Sequence, residues 1–421
     1  MPRLARLHDW IDHWCTLGVN ALYLGPLFES STHGYDTTDY FHVDRRLGDD
    51  DTLALLVAAC HRRGIRVILD GVFHHVGRGF WGFRELQSGG MASAHRDWFA
   101  GVDFSRPSPL GDAFSYDTWR GHHELVKLAL DHWPVRDHLL DAVRHWFARY
   151  DIDGLRLDVA ESIMPDFLRE LAGVCRGLRP DCWLLGEMIH GDYSRLANPE
   201  MLDSATNYEA YKGLWSSHED RNYFEIAHTL ERQFGPHGRY RGLPLYTFAD
   251  NHDVTRVASR LSDPGHLYPL NVLLFTMPGV PSIYYGSEWG LPGVKRGPDD
   301  APLRPAIDRP TPPADARHPE LAAAITRLAH LRRDSTALRR GHYQTLHIAS
   351  EQLAFARTSG HETMIVAVNA SHARAAIPLS AGPWSGRRFV DRLDPSEPLV
   401  ITNDHILLNV PPCWGRVLAV E

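Results

Sequence analysis

The sequence predicts an α/β protein, a (β/α)8 barrel of TIM type followed by a small antiparallel β domain. Three observations predict it. Short apolar runs alternate with stretches of helical periodicity through most of the chain. Several of those runs end in charged residues that a core would not select. From Asp334 onward the pattern changes to short strands with turn residues between them.

The alternation is clearest in two places. "DTLALLVAACHRRG" sets Leu53, Leu56, Val57 and Cys60 on one helical face, ends in arginines and stops at Gly64; "IRVILDGVF" follows as a strand. "DHLLDAVRHWFARYDIDG" repeats the plan with Leu139, Leu140, Val143, Trp146 and Phe147, then leads into "LRLD". Further strands are predicted in "ALYLGPLF", "CWLLGE", "MLDSATN", "LYTFADNHD" and "VPSIYYG". That makes about seven where a closed barrel needs eight, so the first strand is expected to be missing ahead of "LHDWIDHWCTLG", which reads as a helix. Two segments break the alternation. Residues 76–134 are rich in aromatics with Gly and Pro between them and read as an irregular inserted subdomain, leaving 1–75 and 135–333 to the barrel. Residues 334–421 read as the terminal β domain, with strands in "QLAFARTSG", "TMIVAVNAS" and "ILLNVPPCWGRVLAVE".

Composition narrows the function classes. With 43% hydrophobic and 23% charged residues the chain is of soluble globular type, and its net charge of -8 with no basic run argues against a nucleic-acid partner. No apolar stretch reaches the length of a signal peptide or membrane span, so a cytoplasmic protein without a membrane partner is expected. Cys15, Cys60, Cys175, Cys182 and Cys413 are odd in number and lack CxxC spacing; neither disulfides nor a zinc site is expected.

The strand ends carry the chemistry. In "GLRLDVAES", Arg156 and Asp158 share one face of a strand while Leu155 and Leu157 point to the other. Asp70 with His74 and His75 ends "ILDGVFHH", Glu187 ends "WLLGE", and "FADNHD" closes on His252 and Asp253. Charged residues at the same end of successive βα units mark the mouth of a barrel, where substrate is met. Four carboxylates with one arginine there would leave acidic charge uncompensated, which a purely structural set of ion pairs has no use for.

Taken together, "GYDTTDY", "DGVFHH", "GLRLDVA", the "GE" at a strand end and "FADNHD" resemble, in order and rough spacing, the conserved regions of the α-amylase family, glycoside hydrolase family 13. The resemblance is to its maltodextrin- and cyclomaltodextrin-degrading members, and it extends to the insertion and the terminal β domain, which match the family's B and C domains. It implies Asp158 as nucleophile, Glu187 as general acid/base and Asp253 as the third carboxylate, which holds sugar hydroxyls and stabilises the transition state. Retaining glycoside hydrolysis needs an ionised carboxylate about 5 Å from a protonated one. Arg156, beside Asp158, would keep that aspartate ionised and oriented, and the apolar "CWLL" before Glu187 suits a proton donor.

The resemblance further implies that His75 and His252 bind hydroxyls of the reacting sugar and that Tyr35 stacks on its ring, with Asp70 a structural partner turned towards Arg156. In "PDDAPLR", Asp300 and Arg304 are implied to line the next sugar subsite, although a solvated helix pair gives the same spacing. "ELVKLAL" is a loose echo of a family region, with Ala129 where asparagine is expected. Calcium-bearing members place asparagine before the histidine of "HH"; here it is His74, and imidazole suits calcium poorly, so no metal or other cofactor is expected. The expected activity is retaining hydrolysis of α-1,4-glucosidic bonds in glucan oligosaccharides. The alternatives are transglycosylation or isomerisation through the same intermediate, or a noncatalytic binding relative with an incomplete barrel.

Overall fold

Each of the seven apolar runs read as barrel strands forms one, and their parallel pairing brings the charged residues to the strands' carboxyl ends. The structure is a computed structural model that describes residues 2–297, 299–380, 382–394, 399–400 and 405–421. It contains two compact units, one extending to Thr206 and the other running from Asn207 with Thr16–Gly18 added to it.

The first unit opens with a 3-10 helix, Leu4–Trp10, and α1, Ile11–Leu17; among the described residues no strand precedes β1, Ala21–Leu24. The unit continues through α2 (Asp50–Arg62), β2 (Arg66–Gly71), β3 (His75–Gly77), α3 (Trp81–Gly89), β4 (Thr118–Trp119), β5 (His122–Lys127), α4 (Trp133–Tyr150), β6 (Gly154–Leu157), α5 (Pro165–Leu178), β7 (Trp183–Gly186) and β8 (Ser204–Ala205). A parallel sheet runs in the order β1-β2-β6-β7-β8. Helix α2 starts at the N-cap Asp49, whose carboxylate accepts from the Thr52 amide, and its predicted apolar stripe of Leu53, Leu56, Val57 and Cys60 is fully buried.

Register fixes which side chains meet. Asp70 on β2 pairs with Arg156 on β6, and Leu157 pairs with Gly186 just before Glu187. The ladder continues past the strands, since the Asp158 amide donates to the Gly71 carbonyl at 3.1 Å and the Glu187 amide to the Leu157 carbonyl at 3.0 Å. Gly154 has a steric reason to be glycine: a Cβ there would lie 2.0 Å from the Trp183 carbonyl oxygen on β7. Leu155 and Leu157, on the face opposite Arg156, are completely buried.

The insertion is more regular than its composition predicts. β3, β5 and β4 form an antiparallel sheet in that order, beside α3. Phe80, Phe83, Phe99 and Phe114 are buried, with Phe83 packed edge-on against Phe99, Phe114 and Tyr116. Most of the aromatic content is thus the subdomain's own core, while Trp81 and Trp133 remain exposed.

The second unit carries α6 (Tyr208–Glu219), α7 (Tyr223–Phe234), β9 (Tyr246–Phe248), α8 (Val257–Arg260), α9 (Leu267–Thr276) and β10 (Val280–Ser282), with β9 and β10 parallel. Helices α10 (Leu321–Asp334) and α11 (Thr336–Arg340) precede the terminal strands. These are β11 (His342–Ile348), β12 (Gln352–Ser359), β13 (Glu362–Asn369), β14 (Ala375–Ser380), β15 (Arg388–Asp391), β16 (Leu399–Val400), β17 (His405–Val410) and β18 (Trp414–Val420). They make an antiparallel sheet, β11-β12-β13-β18-β15-β16, and a second of β14 and β17, around a core that includes Ile365, Leu379, Phe389, Leu408 and Leu418.

Candidate active site

Arg156 is the centre of the first unit's polar cluster. Its Nη1 donates to Asp70 Oδ1 at 3.0 Å, to Asp70 Oδ2 at 3.1 Å and to Asp158 Oδ1 at 2.9 Å, and its Nη2 stands 2.8 Å from Glu187 Oε2. One guanidinium therefore binds three carboxylates from three adjacent parallel strands. The side chains of Arg156 and Asp70 are 4% and 0% exposed, and those of Asp158 and Glu187 both 9%. Arg156 lies beside Asp158 and Asp70 as expected; its contact with Glu187 is additional.

The electrostatics follow from burial. Removal from water pushes the Asp158 carboxyl well above the ordinary range; Arg156 pulls it back, while Glu187 and Asp70 add to the rise. Asp70 is raised for the same leading reason, against Arg156 and the Tyr23 hydroxyl. Burial also opposes the charge on Arg156, but the surrounding carboxylates outweigh it and hold the guanidinium protonated.

Asp70 accepts from the hydroxyls of Tyr23 at 2.8 Å and Tyr35 at 3.3 Å, so the tyrosine implied to stack on sugar is also tied to this cluster. Tyr23 escaped the sequence reading; its only signal is a polar-tipped aromatic near the end of an apolar strand. Val159 escaped it too. Its backbone is left-handed at φ 42°, unusual for a β-branched residue, and its amide donates to Glu187 Oε2 at 3.0 Å.

His75 sits beside His74, with Nδ1 atoms 3.2 Å apart. Burial holds both imidazoles neutral, pulling His74 down to about 4 and His75 to about 3. A neutral imidazole engaged with its neighbour at the position where calcium-bearing relatives use an amide oxygen does not fit a hard cation. Among the described residues, no three His, Cys, Asp or Glu side chains are placed to share a metal ion.

The second unit holds the other sequence-predicted residues. Asp253 Oδ1 accepts from Arg304 Nη2 at 3.0 Å, and the same Nη2 donates to Asp300 Oδ2 at 3.0 Å. Arg304 Nε donates to the His252 carbonyl at 3.1 Å, and His252 Nε2 is 3.1 Å from Asp253 Oδ2. Asp300 and Arg304 flank a 3-10 turn, Ala301–Leu303, so they are no solvated α-helical pair. Lys295 was not anticipated; its Nζ donates to the Asp253 carbonyl at 2.9 Å. Within this unit His252, Asp253, Asp300 and Arg304 come together, as Tyr35, Asp70, Arg156, Asp158 and Glu187 do in the first.

Comparison with known proteins identifies what these clusters belong to. A family model described as the α-amylase catalytic domain matches residues 4–323. The chain belongs to the α-amylase family of glycosidases. A second model, the neopullulanase-like C-terminal domain, matches residues 343–411. Among curated α-amylase-family relatives, the cyclomaltodextrinase of Geobacillus thermopakistaniensis (strain MAS1) is 33% identical over 436 residues, covering 98% of this chain and 69% of the relative. Neopullulanase 2 of Thermoactinomyces vulgaris is 32% identical over 421 residues, covering 97% of this chain and 69% of its own. A solved structure of the cyclic α-maltosyl-(1→6)-maltose hydrolase from Arthrobacter globiformis, in complex with that cyclic sugar, superposes with a TM-score of 0.82 at 29% identity, covering 99% of this chain and 89% of its own. With these α-amylase-family relatives the chain shares the TIM barrel and C-terminal β domain. Among the described residues, no helix is long and apolar enough to cross a membrane.

Proposed function

We propose that the protein is a retaining glycosidase that cleaves α-1,4-glucosidic bonds in maltooligosaccharides or cyclic glucans through a covalent glycosyl-enzyme. Asp158 is the nucleophile, Glu187 the general acid/base and Asp253 the third carboxylate. His75, His252, Tyr35, Asp300 and Arg304 contact sugar, and Arg156 and Asp70 position the nucleophile. Residues 76–134 are the family's B domain, and the substrate is met in the cytoplasm.

The carrying observation is the Arg156 fork. Asp158 and Glu187 each lie about 3 Å from a different nitrogen of one guanidinium, which supports the separation of about 5 Å that retaining enzymes use over the wider gap of inverting ones. In the first step Asp158 attacks the anomeric carbon while Glu187 protonates the departing oxygen; in the second, Glu187 takes a proton from water, which displaces Asp158. Arg156 offsets the nucleophile's charge in its buried site. The names of the relatives, cyclomaltodextrinase and neopullulanase, support a soluble α-glucan as substrate.

The test is incubation with maltotriose, a cyclodextrin and isomaltose, following the anomer first released by NMR. The α-anomer from the α-1,4 substrates, with loss of turnover in Asp158→Asn and Glu187→Gln, is expected. Release of the β-anomer, or equal rates in variant and parent, overturns the assignment.

A further inference from the structure

Two buried polar atoms in the first unit lack a partner and lie on neighbouring rings: the indole Nε1 of Trp119 and the imidazole Nε2 of His75. The ring centroids are 6.1 Å apart, with 36° between the planes. An indole N–H can only donate, and leaving it buried and unsatisfied is costly. The structure around Trp119 holds it there firmly. Trp119 ends β4, pairs with His122, and is followed by Arg120 and Gly121, both left-handed at φ 48° and 84°, as a two-residue hairpin turn requires. The register slips between Thr118 and Trp119, a bulge of the kind that re-aims a side chain. The imidazole of His122 stacks on the indole at 5.2 Å, and the Arg120 guanidinium lies 5.4 Å from the ring centroid. Arg120 also reaches Glu161, just beyond the nucleophile's strand, at 3.4 Å. The hairpin is thus tethered to the loop that follows Asp158.

We propose that Trp119 is a substrate-binding residue whose indole N–H donates to a sugar hydroxyl shared with His75. This rests on the glycosidase reading, which already gives His75 a sugar hydroxyl. The chemistry selects the ligand class. His74 and His75 are both neutral and meet through their Nδ1 atoms, so one Nδ1–H donates the hydrogen bond and the other Nδ1 accepts it. His75 Nε2 is accordingly an acceptor in one arrangement and a donor in the other. A hydroxyl satisfies either arrangement while accepting from Trp119; a carboxylate could not donate, and an ammonium could not accept. With His122 stacked on the indole and the Arg120 guanidinium over the same ring, the N–H edge is the part of Trp119 assigned to the sugar.

The experiment compares wild type with Trp119→Phe on p-nitrophenyl α-maltoside and on monodeoxy analogues of it, each lacking one hydroxyl of the ring next to the scissile bond. Loss of one neutral hydrogen bond predicts a fall in kcat/KM of about 3- to 15-fold with the melting temperature retained. It also predicts one analogue whose penalty is marked in wild type and absent in the variant. Unchanged kcat/KM, or equal penalties for every analogue in both proteins, overturns the proposal. If Trp119→Phe also melts lower, Trp119→His decides, because it restores a ring N–H: recovered kcat/KM supports the proposal and no recovery overturns it. Should wild type turn over no maltoside, the glycosidase reading fails separately. Maltotriose binding to both proteins by calorimetry then decides this one, with weaker binding by the variant in support and equal affinity against.

Discussion

Asp158 and Glu187 are bound to the same guanidinium, Asp158 Oδ1 to Arg156 Nη1 at 2.9 Å and Glu187 Oε2 beside Nη2 at 2.8 Å. A planar fork can hold two carboxylates at a fixed separation; an ammonium on a flexible stem cannot. Arg156→Lys keeps the charge and discards the fork. It is expected to lower kcat/KM by about 100-fold, mostly in kcat, because the two groups lose their mutual geometry. Steady-state kinetics on maltotriose measure this, and a change confined to KM would contradict it.

The buried cluster sets the acid side of the pH profile. Asp158 attacks only as a carboxylate, and burial, then Glu187 and Asp70, raise its pKa against the pull of Arg156. Activity falls as pH drops through that raised value, so the acid limb of kcat/KM lies above the ordinary aspartate value of about 3.9. Asp70→Asn removes one of the negative charges that favour protonation of Asp158, and the acid limb should move to lower pH. A limb that stays in place in Asp70→Asn, or moves up, rules out this account.

Much of this cluster was legible because strand alternation is a local rule. Arg156 and Asp158 had to share a face, and a face with two charges had to end at a barrel mouth. The leucines between them, fully buried, follow the same rule. What escaped the reading depends on contacts remote in sequence. Tyr23 reaches Asp70 across the β1–β2 pair, and the left-handed turn at Val159 is held in part by its bond to Glu187, 28 residues on. The strands of the insertion were hidden because β5, "HHELVK", is short, largely polar and paired on both sides within a small sheet whose apolar residues look like loop aromatics. The link between Arg304 and Asp253 crosses 51 residues, which no local pattern reveals.

His74 makes metal dependence testable. Its ring is neutral and engaged with His75, and imidazole is a poor ligand for calcium. EDTA treatment is expected to leave kcat/KM within about twofold of the untreated enzyme, since no hard-cation site of this type forms there. Activity lost on chelation and restored by calcium would refute the expectation.

Arg304 joins Asp253 to Asp300 through a single nitrogen, Nη2, at 3.0 Å from each. Asp300 also reaches Asp253 through Lys295, whose Nζ lies 3.4 Å from Asp300 Oδ1 and donates to the Asp253 carbonyl. Arg304→Ala releases Asp253 and is expected to lower kcat/KM by roughly 10- to 100-fold, as loss of a charge-assisted bond does. Asp300→Ala leaves the Arg304–Asp253 bond in place and should cost less, mainly in KM. Because Asp300 shares Arg304 with Asp253 and also contacts sugar, the loss in the double variant should fall between that of Arg304→Ala alone and the product of the two single losses. A double-mutant cycle on maltotriose measures this, and fully multiplicative losses would show that the shared Nη2 does not couple Asp300 to Asp253.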